Sequence, residues 1–285
     1  MHFCRFRAGD IVIGVETPEK LNITEPYSLF LCEDDAENDM LIKFEYCPEI
    51  TLPEGACIYK GNAYDVIKNG NSIHFLYHSS GDSELFAHRI TEGEKSRLHR
   101  ILIPEKYKGM IWTRLVFSLI NFDEVAAIFG ASVFHASVVD CGGEAILFTA
   151  PCGTGKSTQA ALWEKFRNAD VINGDKALIY EKNGEFFVSG IPFSGSSSIC
   201  KNRILPVKAI VRLSQAKENK AECLKGVNAY KAVYEGCYHS KWSTEYNNAT
   251  SLVAEKFALG VPVVSFACLP DESAVDCLEK FISEL

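Results

Sequence analysis

Several things are missing from this sequence, and each absence removes a class of explanation. No apolar run approaches the ~20 residues that a membrane-crossing helix needs, so no span is expected. Basic residues are the minority: 29 Lys and Arg against 37 Asp and Glu give a formal net charge of −8. That balance gives no general support for nucleic acid or an anionic membrane as a partner, though a local basic pocket for phosphate is compatible with it. Eleven cysteines are present, but no C-x-x-C pair occurs and no Cys/His cluster has zinc spacing. A scattered, odd-numbered set reads as reduced, mostly buried thiols, not as a disulfide framework. The opening MHFCRFRAGDIVIG lacks the basic segment and long apolar run of a signal peptide, so a cytoplasmic location is expected. No internal repeat and no low-complexity tract occurs.

What remains is a globular composition. The 285 residues are 47% hydrophobic and 23% charged, enough for one large domain or two ordinary ones. Residues 1–90 read as short strands between turns: GDIVIGVE, DMLIKFEY, the run from GACIYK to FLYHSS with its Asn-Gly and Gly-Asn turn signals, and SELFAHRI. His74, His78 and His88 fall on these strands at wide spacing and read as ordinary packed or solvated residues. TEGEKSRLHRILIP is polar, and Pro104 is expected to break the chain direction. YKGMIWTRLVFSLINFDEVAAIFG has apolar residues at helical spacing, with Gly130 as a terminator. The expected division is a β-rich N-terminal domain over 1–110, a helical connector over 111–130 and an α/β domain over 131–285.

In that last part SVFHASVVD and EAILFTA read as strands joined by a CGG turn. DVINGDKALIYEK, EFFVSG, PVKAIVRLS and VPVVSFACL follow as strands, with a turn at Asn183–Gly184. Helices run through KGVNAYKAVYEGCY and TEYNNATSLVAEKFALG, and a last one is capped by Asp271.

The chemistry concentrates in APCGTGKST, residues 150–158, between an apolar strand and the helix TQAALWEKF. The spacing approximates the phosphate-loop pattern G-x-x-x-x-G-K-[ST], with Ala150 in place of its first glycine. Gly153 and Gly155 let the backbone turn tightly and approach oxygen atoms without a Cβ in the way. The N–H groups of Gly153, Thr154, Gly155, Lys156, Ser157 and Thr158 then cradle phosphates. Lys156 reaches the β and γ oxygens as a point charge, and the Ser157 hydroxyl suits Mg²⁺. The first glycine lies farthest from Lys156, so a small alanine with negative φ costs the pattern little of its mechanism. Three neighbours complete the reading. His135 lies on the strand before the loop strand. Asp175, at a predicted strand end, suits a Mg²⁺ contact or a base for a hydroxyl proton. Lys201, Asn202 and Arg203, after the small residues of GIPFSGSSSIC, are candidates to clamp phosphate or substrate. Cys152 reads as tolerated packing within the loop.

Taken together, His-x-x-x-Val, a strand, G-T-G-K-S and an Asp after the next strand resemble the HPr serine kinase/phosphorylase family, of the phosphoenolpyruvate carboxykinase type of P-loop. The run LFTAPCGTGKSTQAALW, INGDKALI, VSGIPFSG and KNRILPVKAIV is more similar to HPr-kinase-like bacterial proteins, some of whose relatives accompany ribosomally made peptide products. The resemblance covers about residues 130–285. It implies an α/β P-loop nucleotide-binding core behind a β-rich N-terminal domain. It also implies an ATP- and Mg²⁺-dependent kinase that moves the γ-phosphoryl group to a hydroxyl on a peptide or protein serine or on a small molecule. By motif, Lys156 and Ser157 bind phosphate and Mg²⁺, His135 matches the histidine before the loop, and Asp175 matches the second carboxylate of an Asp-Asp pair. The chain departs from the family in two places. Gly174 replaces the first aspartate of the pair, usually given the proton-accepting role, and VSGIPFSG lacks a glutamate of a later signature. HPr is therefore not the expected acceptor, and the reverse phosphorylase activity is not expected. The alternatives are a nucleotide-binding accessory module that holds a precursor peptide without transfer and, ranked last, a carboxykinase-like enzyme. The oligomeric state stays open.

Overall fold

The structure is a computed structural model that describes residues 1–32, 37–79, 84–193, 195 and 198–285. It is a mixed α/β protein with two large sheets, in two compact units. The first unit comprises Met1–Ile128 and Ser240–Tyr246, and the second Phe129–His239 and Asn247–Leu285.

The first unit holds β1 (His2–Ala8), β2 (Ile11–Thr17), β3 (Met40–Cys47), β4 (Ala56–Lys60), β5 (Tyr64–Asn69), β6 (Ser72–His78), β7 (Leu85–Glu92) and β8 (Leu98–Pro104). They form one sheet in the order β1-β2-β3-β8-β7-β6-β5-β4. Two short helices follow, α1 (Thr113–Ile120) and α2 (Phe122–Ile128). The stretch 91–104, read as polar and given no strand, contains β8. Its His99, Ile101 and Ile103 alternate into the core while Leu98 and Arg100 face outward, so a histidine at a core position hid the strand. Pro104 is the last residue of that strand. The single helical pattern of 111–130 is broken at Asn121, whose left-handed φ of 53° ends α1. Both helices lie in the first unit.

The second unit holds β9 (Ala131–Asp140), β10 (Ala145–Thr149), α3 (Lys156–Arg167), β11 (Asp170–Asn173), β12 (Lys176–Lys182), β13 (Glu185–Gly190), β14 (Ile204–Gln215), β15 (Lys220–Cys223), α4 (Val227–Gly236), α5 (Thr244–Gly260, whose first turn is in the Ser240–Tyr246 segment), β16 (Val263–Cys268) and α6 (Glu272–Ser283). DVINGDKALIYEK forms two strands, β11 and β12, and Asp175 lies in the junction between them. Strand β10 is hydrogen-bonded antiparallel to β9 and parallel to β14, and β14 is parallel to β16.

Both faces of β10 are covered, which is why AILF is apolar at every position. Leu147 packs in the core that contains Ala232 and Val233 of α4 and Phe257 of α5. Ile146 and Phe148 face the opposite core, with Ala160 and Trp163 of α3 and Leu278 of α6. Asp271 caps α6 by accepting the Ser273 N–H, and Asn183–Gly184, both at positive φ, join β12 to β13. All eleven cysteines are free.

Candidate functional site

Strand β10 ends at Thr149, and a turn over residues 150–155 leads into α3. Gly153 (φ 79°) and Gly155 (φ 118°) adopt backbone conformations that a side chain disfavours. Ala150 is not among the residues with positive φ. It is buried in the core under the turn, and its carbonyl accepts a hydrogen bond from Lys156 Nζ at 3.0 Å. Alanine therefore fits there. No side chain caps the N-terminus of α3, so its first N–H groups keep their donors for another partner.

Lys156 is the unusual residue of this turn. It is 8% exposed, and among the described residues its ammonium donates only to the carbonyls of Ala150 and Pro151. It makes no ion pair among the described residues. Burial lowers its pKa, opposed by Cys152 and Asp175. A buried cation facing only carbonyl dipoles is short of negative charge.

Strand β9 brings the neighbours in. Ala136 stands opposite Thr149, so β9 runs past the end of β10 and sets His135 level with the start of the turn. On its other edge β9 pairs with β11 and β12, whose junction, Gly174–Asp175, lies beside Ala136 and Ser137. The Ala136 N–H donates to Asp175 O, and the Ser137 hydroxyl donates to Gly174 O. The fully buried Asn173 side chain accepts from the N–H groups of Asp175 and Lys176 and so fixes the junction. His135 Nδ1 lies 3.1 Å from Asp175 O and 3.5 Å from Asp175 Oδ1. Burial first, then Lys156, lowers the His135 pKa; Asp175 opposes both, and Lys176 adds to the lowering. Lys156, His135 and Asp175 thus converge within electrostatic reach of one another.

Two residues that the motifs do not reach join them. Lys176 is the cross-strand partner of His135. Its ammonium lies 4.6 Å from the centre of the Tyr238 ring and 6.0 Å from that of Phe193. Tyr238 also meets His135 edge-on, with ring centres 6.4 Å apart. A glycine positions it: Gly236 ends α4 against Phe134, where an added Cβ would fall 2.3 Å from the ring. This close approach lets Tyr238 N–H donate to Val133 O on β9. The glycine–aromatic sequence EGCY at a helix end was the available signal.

Lys201 and Arg203 are not brought to the turn. Lys201 is bonded to Asp170, and Arg203 to Asp140 at 2.7 Å and Asp170 at 3.3 Å. Asp140 is five residues along β9 from His135, about 17 Å at strand rise. Their charges are met there by carboxylates, and the exposed Asn202 lies between them.

Two cavities flank the turn on the side of β14 and β16. One of about 740 Å³ is lined by Cys152, Thr154, Arg212, Asn228 and Lys231 among others. The second, about 340 Å³, includes Thr158, Gln159, Ala216, Leu269 and Pro270. Both lie outside the C-terminal ends of parallel strands, where open α/β sheets take ligands. Ser157, in the first turn of α3, is exposed, and Asp175 is half-exposed. Among the described residues no group of three or more His, Cys, Asp or Glu could hold a metal alone. Ser157 and Asp175 each carry an oxygen of the kind that Mg²⁺ takes.

No protein-family model and no curated protein sequence matches the chain. Among solved structures, an HPr(Ser) kinase/phosphatase from Coxiella burnetii is similar over 53% of this chain and 93% of its own, at 12% identity and a TM-score of 0.30. No helix of the described residues is long and apolar enough to cross a membrane.

Proposed function

We propose that this chain is an ATP- and Mg²⁺-dependent kinase that transfers the γ-phosphoryl group to a hydroxyl acceptor, a peptide or protein serine or a small molecule. The observation that carries the reading is Lys156. It is a buried ammonium without a carboxylate partner among the described residues, at the base of a glycine turn that opens an uncapped helix. Such a place favours the polyanion of a nucleotide. In this reading the turn's N–H groups and Lys156 hold phosphate oxygens, and Ser157 and Asp175 hold the metal. Bound MgATP supplies the transferable phosphoryl group and the cation that neutralises its charge. His135, held neutral by its surroundings, can donate a hydrogen bond or accept one without adding charge. Asp175 accepts the proton that the attacking hydroxyl gives up, a modest demand because the transition state of phosphoryl transfer is loose.

A nucleotide-binding accessory module without transfer is the second reading. Gly174 favours it, because Asp175 is then the sole carboxylate of the junction and must serve both metal and proton.

The test is binding and turnover of ATP with Mg²⁺, with a panel of hydroxyl acceptors, for the parent and for Lys156→Ala. The expected outcome is transfer by the parent. The variant should lose nucleotide affinity by at least about tenfold while keeping its circular dichroism and cooperative melt. Lysine-dependent binding with no transfer to any acceptor would favour the accessory module. No binding by the parent would overturn both readings.

A further inference from the structure

Strand register places a second cation in the row of the site, and the motifs did not single it out. His135 and Lys176 are directly opposite on antiparallel β9 and β12, so their side chains share a face of the sheet. Strand β9 also pairs with β10, one residue before the turn begins. Ala150, the first residue past β10, therefore lies level with His135 on β9 and Lys176 on β12, strands about 4.8 Å apart. The Lys176 ammonium makes no ion pair among the described residues. It is held over the Tyr238 ring, which steers the side chain without neutralising it. Tyr238 is itself fixed to β9 through its N–H, and its ring meets His135. A lysine with an unneutralised charge, held by an aromatic face beside Lys156, His135 and Asp175, is placed for an anion.

The order of the strands says which anion. Two cavities large enough for a nucleoside lie along β14 and β16, on one flank of β10. His135 and Lys176 lie on the other flank, across β9. A nucleotide lying along the turn with its nucleoside in either cavity presents its last phosphate to the His135 row.

We propose that Lys176, held over Tyr238, contacts the terminal phosphate of a bound nucleoside triphosphate and distinguishes it from the diphosphate. This inference rests on the nucleotide reading above. Lys156, at the base of the turn, serves both ligands, whereas Lys176 serves the one that reaches the β9 flank. The mutual placement explains why both lysines depress the His135 pKa.

The experiment is calorimetric binding, to the full chain with Mg²⁺, of ADP and of an ATP analogue with a non-hydrolysable imido bridge between its β and γ phosphorus atoms. The variants are Lys176→Gln, Lys176→Arg and Tyr238→Leu. Lys176→Gln should weaken the triphosphate analogue about tenfold and leave ADP within about twofold. Lys176→Arg should restore most of the loss, and Tyr238→Leu should show a smaller loss confined to the triphosphate. Equal losses for both nucleotides, or none for either, would overturn the role of Lys176 while leaving the nucleotide site standing. A parent that binds neither nucleotide would overturn the nucleotide reading and this inference with it. Melting curves of each variant separate a folding defect from a lost contact, and restoration by arginine is a result that a merely structural role would not give.

Discussion

At the scale of the residue, the proposed chemistry rests on few groups. Asp175 is its one carboxylate at the β11–β12 junction, and Gly195 (φ 57°) passes so close that an added Cβ would fall 2.7 Å from Asp175 Cβ. Its carboxylate is thus confined from one side by backbone and from the other by His135. Asp175→Asn keeps the shape and removes the charge. The expected outcome is a fall in transfer of at least about a hundredfold, with nucleotide affinity changed by less than about fivefold, because general-base assistance is worth roughly 10²–10⁴. Single-turnover rates and binding titrations on the same preparation check it, and parallel losses in both would mean that Asp175 only holds the nucleotide. The local geometry was legible where a motif fixes the spacing: the positive φ of Gly153 and Gly155 and the start of α3 at Lys156 follow from it. Lys176 and Tyr238 were not, because strand register and the helix-ending Gly236 bring them to the site from outside the motif. Lys201 and Arg203 looked available in the sequence because their carboxylates, Asp140 and Asp170, are distant along the chain.

At the scale of the element, the strands of the first unit carry a cost that appears on acidification. His74 on β6 and His88 on β7 approach to 3.0 Å between ring nitrogens, and His99 on β8 is buried with neither nitrogen partnered. Burial lowers His88 to about 4, and it lowers His99 well below the ordinary 6.5, helped by Arg89. A histidine kept neutral in the folded sheet takes up its proton more readily in the unfolded chain. Stability should therefore be intact above pH 6.5 and fall as pH drops toward 4, at up to about 1.4 kcal/mol per pH unit for each histidine. Denaturant midpoints across that range check the slope, and His99→Leu should flatten it. His99 also explains why β8 was not legible as a strand in the sequence. A polar residue at a core position breaks the alternation by which strands are recognised, whereas β10 and β16 are apolar at nearly every position and were legible at once.

At the scale of the whole molecule, the first unit is not one continuous stretch of chain. The segment Ser240–Tyr246 belongs to the first unit. There the Trp242 indole donates to Glu124 at 2.7 Å and meets Phe75 edge-on, Ser243 bonds Glu94, and the Tyr246 hydroxyl bonds the Glu94 carbonyl. Glu124 is also the partner of the fully buried Arg89, at 2.7 Å. Trp242→Phe keeps the ring and removes the donor to a buried carboxylate, at an expected cost of about 1–3 kcal/mol. Hydrogen exchange should show that loss in β6, β7 and α2 and leave β9 and β10 unchanged. A loss spread evenly over both units would mean that Trp242 does not act within the first unit. No composition shift marks this segment, because its tie to residues 75–124 depends on contacts more than a hundred positions apart.

That path has a consequence for anyone who cuts the molecule. A protease that nicks the chain between Ile128 and Phe129 severs the polypeptide without freeing either part. The downstream fragment still threads Trp242 and Tyr246 among the strands of the upstream one. The two fragments should travel together through a sizing column and part only in denaturant. A gene that exchanged one unit for a foreign one would have to replace two separate stretches of code at once.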